Sequence, residues 1–330
     1  MSNVTMRQLE VFVDAAERLS FVRVAERLRL TPSAVSFQIR QIELQTGFAL
    51  FERIGRKVAL TEAGRVLLEY ARPVLRSMRD VDQAMQALKG VGGGRVRLGL
   101  VSTAKYIVPH LIARFRTRFP GVTVALQEGN KTLIQSLLTS GGIDLAIMGQ
   151  PPDGADVLGE RFAAHPSVLI APPKHRLHAN PASVDELRSE WFIVREQGSG
   201  TRSLSDQFFA AASFTPRVAM ETSSNEMIKQ AVMAGMGIAL ISQHTIRLEC
   251  SLGLLEVLAV EGFPVMRWWS VVQRRTSPLL PVQARLRSFL IDEGQIIIDE
   301  LGRGFDDMRP KQEGCASGSG SGLFNAYEWR

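Results

Sequence analysis

The run Thr31-Pro32-Ser33-Ala34-Val35-Ser36-Phe37-Gln38-Ile39-Arg40-Gln41-Ile42-Glu43-Leu44-Gln45 reads as one helix with a fixed start and two unlike faces. Threonine at an N-cap accepts a bond from a free amide of the first turn, and proline in the first helical position gives up no bond, because that amide has no partner in any case. No breaker follows before Gly47. Val35, Ile39 and Ile42 recur at spacings of four and three and must turn inward, which leaves Ser33, Ser36, Phe37 and Arg40 outward. A plain surface helix rarely exposes phenylalanine. The outward set suits a duplex groove: hydroxyls bond phosphates or base edges, arginine pairs with a phosphate or a guanine, and a phenyl ring lies against a thymine methyl.

The flanks agree with a helix-turn-helix. Leu9, Val11, Phe12 and Ala16 carry a first helix, and Ser20 caps a second over 21–28 with Val24, Ala25 and Leu28 inward. Arg29-Leu30-Thr31 is the turn. After Gly47, residues 50–60 read as two short strands joined at Gly55, a wing whose tip gathers Arg53, Arg56 and Lys57. A basic tip can be a solvated turn. Directly behind a recognition helix it suits a minor groove or its phosphates. Residues 1–60 are therefore expected to be a winged helix-turn-helix for double-stranded DNA, with Thr31, Pro32, Ser33, Ser36, Phe37, Arg40, Arg53, Arg56 and Lys57 as candidate contacts.

A single long helix is expected over 61–89. Positions 67, 71, 74, 78, 81, 85 and 88 hold Leu, Ala, Val, Met, Val, Met and Leu, a heptad seam too narrow for a globular core and suited to a second copy of itself. Paired heads would read an inverted repeat. Pro73 interrupts the helix and is expected to kink it. The glycine-rich stretch 90–94 reads as a hinge and not as a phosphate loop, since no Gly-Lys-Ser or Gly-Lys-Thr follows it.

Over 95–290 strands and helices alternate: strands at 96–101, 122–127, 144–148, 167–171, 192–195, 217–221, 238–242 and 268–273, with helices at 107–119, 133–140, 202–212, 226–234 and 282–290. This predicts an α/β fold with parallel sheets in two lobes, the chain crossing between them twice and leaving a cleft. Ligands in such sheets sit beyond the carboxyl ends of strands, near helix N-termini. The candidates there are Ser102, Thr103 and Lys105, then Asn130 and Lys131, then Ser199, Gly200, Thr201 and Arg202, with Ser224 at a further helix start. Gly198-Ser199-Gly200-Thr201-Arg202 is the most specific: two glycines let amides converge, and a hydroxyl and a guanidinium suit carboxylate or phosphate. A plain capped helix start is the competing reading, nearly as good for Ser224.

Composition limits the alternatives. The chain has 330 residues, a net charge of +6, two cysteines and five histidines. That length suits two or three domains. Cys250 and Cys315 lie far apart with no histidine at metal spacing, so neither a disulfide framework nor a metal site is expected. With no secretory signal and no apolar run near ~20 residues, a cytoplasmic chain without a membrane partner is expected. His110, His165, His175, His178 and His244 adjoin no nucleophile elbow or general-base constellation, so no enzyme and no catalytic residue is expected. A cytoplasmic solute-binding protein is the rival class, set apart by the DNA-binding head.

With these residues in view, the chain resembles the LysR-type transcriptional regulators, and within them the regulators of RuBisCO and Calvin-cycle operons. The broad likeness lies in Arg7-Gln8-Leu9-Glu10-Val11-Phe12, the helix start at Thr31, Leu50-Phe51-Glu52-Arg53, Leu60-Thr61-Glu62-Ala63-Gly64 and Ile143-Asp144-Leu145-Ala146-Ile147-Met148-Gly149. The narrower one lies in Val101-Ser102-Thr103-Ala104-Lys105-Tyr106, Ile170-Ala171-Pro172-Pro173, Gly198 to Arg202 and Ser223 to Gly235. The resemblance implies a dimerising linker helix, an effector domain folded like periplasmic solute-binding proteins, a homotetramer, and RNA polymerase as a partner at the promoter. It also implies a small-molecule effector rather than a bound cofactor: a phosphorylated sugar or acid, or NADPH. Control of another metabolic operon is the alternative. Pro32 stands where many relatives carry glutamine, and Phe37 where a polar residue is usual. Likeness fades over 291–330, read as a tail, with 313–330 as a linker and appended peptide.

Overall fold

The computed structural model describes residues 4–55, 57–88, 93–152, 156–178 and 182–306, the side chains of Lys57 and Leu88 among those left out. Arg56, hinge residues 90–92 and the stretch 313–330 with Cys315 thus lie outside the described residues. Contacts divide the chain into two compact units, Met1–Val91 and Gly92–Arg330.

The first unit runs α1 (Met6–Arg18), α2 (Phe21–Leu28), α3 (Pro32–Thr46), β1 (Phe51–Ile54), β2 (Lys57–Leu60) and α4 (Glu62–Leu88). Side-chain caps set each early start. Thr5 and Gln8 form a reciprocal capping box on α1, Ser20 accepts from Arg23 N, and Thr31 accepts from Ala34 N at 3.1 Å. Left-handed Gly47, at φ 76°, ends α3, a conformation glycine adopts without a Cβ clash. The buried set joins Leu9, Phe12, Val24, Val35, Ile39, Ile42 and Leu50 into one core, with Phe51 edge-on to Phe12 and Phe21 at 5.7 and 5.4 Å. Leu67 and Ala71 of the seam belong to this core, packed under their own head. Farther along, Val74, Met78, Val81 and Met85 are exposed. Pro73 lies inside α4, which continues past it.

The second unit begins with β3 (Gly94–Val101), α5 (Val108–Arg118), β4 (Val122–Gly129), α6 (Lys131–Ser140), β5 (Leu145–Met148) and β6 (Val157–Ala164). It continues with β7 (Ser167–Ala171), β8 (Trp191–Arg195), α7 (Gly200–Ala211), β9 (Arg217–Thr222), α8 (Asn225–Met233) and β10 (Ala239–Ser242). Then come α9 (Arg247–Ser251), β11 (Glu256–Val257), β12 (Trp268–Arg274) and α10 (Pro281–Asp306). One lobe is built on the order β4-β3-β5-β12-β6, the other on β10-β7-β11 and the pair β8-β9.

The sheets are mixed, which corrects the parallel expectation. β3 is parallel to β4 and β5, but β12 runs antiparallel to β5 and β6. The reason is the crossover: β6 leaves toward the second lobe, β12 returns from it, and strands that leave and return side by side must oppose each other. β6 itself is not legible in the sequence, because Gly159-Glu160-Arg161 breaks its apolar run. The last helix reaches Asp306, so 291–306 is not tail. Leu286, Phe289, Leu290, Ile297 and Ile298 are buried in the first lobe's core. Gly294 is not a stop; a Cβ there would meet the Phe162 ring at 2.4 Å, so glycine permits the close approach.

Candidate functional site

On the first unit, Ser33, Ser36, Phe37 and Arg40 of α3 share one concave surface with Arg53 of β1. Burial of Val35, Ile39 and Ile42 rotates these groups outward, and Phe37 is 58% exposed. The wing is aimed by two bonds: Glu43 Oε1 accepts from Leu50 N at 2.8 Å and Thr61 Oγ donates to Ala49 O at 2.6 Å. Thr31 and Pro32 serve the helix start, and Ser36 donates to Pro32 O at 3.0 Å, leaving its oxygen free to accept. Hydroxyls, an arginine from each element and an exposed ring therefore meet on one face.

In the second unit a cavity of about 60 Å³ lies between the lobes. Ser102, Thr103, Asn130 and Lys131 line it from the first lobe, and Ser199, Gly200 and Thr201 from the second. Asn130 caps α6 by accepting from Leu133 N at 3.0 Å, and Ser199 caps α7 by accepting from Thr201 N at 3.2 Å. Two helix N-termini, each with partial positive charge, thus face the cavity from opposite lobes. Thr132 N donates to Gly198 O at 3.3 Å across the gap. Gly198 is held at φ 83°, and a Cβ there would lie 2.8 Å from Thr132 Oγ.

Three further side chains, none singled out from the sequence as a ligand contact, shape the cavity. Arg195 ends β8, is 2% exposed, and donates to Glu196 at 2.8 and 3.1 Å, to Asn225 Oδ1 at 2.6 Å and to Ser102 Oγ at 3.0 Å. Its strand is legible in the sequence, and the carboxyl end of a strand is the signal that could have found it. Arg267 and His165 lie on the two crossing segments, where that rule gives no signal. Arg267 donates to Gly200 O at 3.1 Å, contacts His165 Nδ1 at 3.4 Å, and has an enclosed Nε with no partner; burial pushes its guanidinium down to about 10. His165 stacks on Trp269 at 3.7 Å. Burial, then the charge of Arg267 and the neighbouring His244, hold it well below the usual imidazole range and hence neutral.

Lys105, Arg202 and Ser224 stand outside this lining. Lys105 pairs with Glu128 at 3.4 Å and lies 5.6 Å from the Tyr106 ring centre. Arg202 turns onto Asp206 at 2.9 Å, Glu221 at 2.6 Å and the carbonyl of Arg195 at 2.9 Å, so it braces the strand that carries Arg195. Ser224 caps α8, accepting from Met227 N at 3.2 Å. That helix carries buried Lys229, bonded to Glu249 at 2.6 Å and Glu226 at 2.9 Å and lying 5.1 Å from the Tyr106 ring centre, a further contact between lobes. Among the described residues no cluster of His, Cys, Asp and Glu could hold a metal ion, and no helix is long and apolar enough to cross a membrane.

Comparison with known proteins follows the same division. Residues 6–65 match the family model of bacterial regulatory helix-turn-helix proteins of the lysR family, and residues 89–295 match the LysR substrate binding domain. The transcriptional regulator CfxR of Cupriavidus necator is 44% identical over 308 residues, 93% of this chain and 96% of that protein. The RuBisCO operon transcriptional regulator of Allochromatium vinosum is 41% identical over 301 residues, 91% of this chain and all of that protein (100%). Among solved structures, the Synechocystis CcmR regulatory domain in complex with 2-PG is 35% identical with a TM-score of 0.58, covering 60% of this chain and 96% of that one. Full-length CbnR complexed with its target DNA, at 23% identity, shares the fold with a TM-score of 0.65 over 87% of this chain and 98% of its own. With a lysR-family helix-turn-helix matched at its start and a LysR substrate binding domain matched over most of the rest, the chain belongs to the LysR family of bacterial transcriptional regulators.

Proposed function

We propose that this regulator acts in the cytoplasm on a carbon-fixation (RuBisCO) operon. It binds an inverted-repeat operator as a dimer, or as a tetramer built from two dimers, and engages RNA polymerase at the promoter. α3 enters the major groove through Ser33, Ser36, Phe37 and Arg40, and the wing's Arg53, with Arg56 and Lys57, contacts the flanking backbone or minor groove. It responds to a small phosphorylated or anionic metabolite held by Ser102, Thr103, Asn130, Lys131 and the start of α7.

One observation carries the effector reading: the cavity is lined by donors from both lobes, with two helix N-termini and two arginines converging on it. Such a lining favours an acceptor-rich anion. The confined cavity and its convergent donors suit a short phosphorylated acid such as 2-phosphoglycolate, the 2-PG of the CcmR complex, better than a nicotinamide dinucleotide. The test is a thermal-shift screen with 2-phosphoglycolate, phosphoenolpyruvate, phosphorylated sugars and NADPH, joined to footprinting of the fragment upstream of the RuBisCO genes. A phosphorylated acid should raise the melting temperature by mass action and protect two half-sites. Equal competition by random duplex at moderate salt would end this reading.

A further inference from the structure

The geometry points to Arg267 as the residue that selects the effector by its charge and ties that charge to the hinge between the lobes. The inference rests on the reading of the cavity as an anion site. Arg195 and Arg267 both line the space, but their charges are not equally available. Arg195 already holds the Glu196 carboxylate through Nε and Nη2. Among the described residues no carboxylate pairs with Arg267, whose Nη1 is spent on a carbonyl and whose Nε is enclosed without a partner. A guanidinium buried without a counter-ion is costly, and an anion in the cavity that the Arg267 side chain lines relieves that cost. The neighbouring groups keep the place open. Neutral His165 accepts at Nδ1 and adds no competing charge, and Gly149 puts no side chain between cavity and guanidinium; a Cβ there would lie 3.0 Å from His165 Nδ1 and 3.3 Å from Arg267 Nη2.

Position adds the second half. Arg267 lies on the segment returning to the first lobe, and its carbonyl accepts from His165 N on the outgoing segment at 2.7 Å. Its Nη1 holds the carbonyl of Gly200, the first residue of α7. One side chain therefore touches both crossing segments, the helix start that faces the ligand, and the ligand space. An anion drawn to this guanidinium acts on the hinge and on α7 together.

The experiment uses the full chain, calorimetry, and 2-phosphoglycolate and glycolate as probes. The parent must first bind a phosphorylated acid; if it binds none of those screened, the anion-site reading fails before Arg267 is at issue. Given binding, Arg267→Met should weaken 2-phosphoglycolate by about 30-fold or more and erase its advantage over glycolate, as loss of a buried charge partner does. Arg267→Lys should keep the preference for the phosphorylated probe with a smaller loss. Gly149→Ala, which crowds the guanidinium without removing it, should also weaken binding, and it decides the matter if Arg267→Met does not fold. Affinity within about twofold of the parent in Arg267→Met or in Gly149→Ala would overturn the proposal, as would equal loss in the Lys and Met variants.

Discussion

His244 shows how much of this molecule's behaviour is settled by the surroundings of single residues. Burial, then Arg247 beside it, push its imidazole down to about 4, although a bond to the Ala164 carbonyl favours the proton. In the unfolded chain the same group titrates near 6.5. Above that pH neither state carries the proton and stability is unaffected. As pH falls from 6.5 toward 4 the unfolded chain takes up a proton that the folded one refuses, so stability is lost across that window, by up to about 3 kcal/mol for this residue. His165 is shifted in the same direction and adds to the slope. Urea titrations of the effector unit between pH 7 and 4.5 should show the decline, and His244→Gln should flatten it; parallel profiles would show that His244 is not its source. Sequence could locate such residues but not their partners. Arg202 was legible as a donor at a helix start, yet Glu221 and Asp206 claim it, while Arg267, whose segment follows no strand, faces the ligand space. Which guanidinium is free is decided by carboxylates that only the fold brings near.

Elements were the more readable scale, because caps and apolar spacing act locally. α3 begins at Pro32, and its outward groups are the ones the spacing leaves. What spacing could not tell is whose core a stripe enters: Leu67 and Ala71 go beneath their own head, and among the described side chains of the seam Val74, Met78, Val81 and Met85 remain exposed for a second chain. β6 and the end of α10 were missed for a related reason, since Gly159 and Gly294 look like breaks until Pro151, Val272 and Phe162 are seen packed where their side chains would be. Two predictions belong here. Replacing Met78 and Val81 together by glutamate puts charges into the exposed stripe, and should raise the dimer dissociation constant by about 100-fold or more, since each apolar side chain buried is worth roughly 1.5–3 kcal/mol. Sedimentation at micromolar concentration checks it, and an unaltered dimer would place the interface elsewhere. On the wing, Arg53→Ala should weaken operator binding and lower the slope of log affinity against log salt by about one, the signature of one lost phosphate contact. An unchanged slope would remove Arg53 from that role.

At the scale of the whole molecule, the effector unit has two lobes joined by two crossing segments and bridged by Arg195 to Ser102, Thr132 to Gly198, Arg247 to the Ile298 carbonyl, and Lys229 over Tyr106. Bridges of this kind make a bistable closure, because each is either formed or replaced by ligand and water. A ligand shifts such an equilibrium only by its difference in affinity for the two arrangements. On the proposed reading, an anion in the cavity would contribute that difference, since it would meet donors of both lobes at once when they are closed and of one when they part. If a change in lobe angle reaches the paired heads, it alters their spacing and so the bend imposed on the promoter, whose elastic cost of ~1–6 kcal/mol is of the size that a small ligand can offset. The expected outcome is a shorter footprint or a smaller bend angle with saturating 2-phosphoglycolate, and a smaller shift when Ser102→Ala removes the bond that Arg195 makes across the gap. Circular-permutation gel shifts measure the bend and footprinting the span. Identical bends and footprints with and without the metabolite, at concentrations where calorimetry shows it bound, would separate the cavity from transcriptional control and leave it a binding site without a lever.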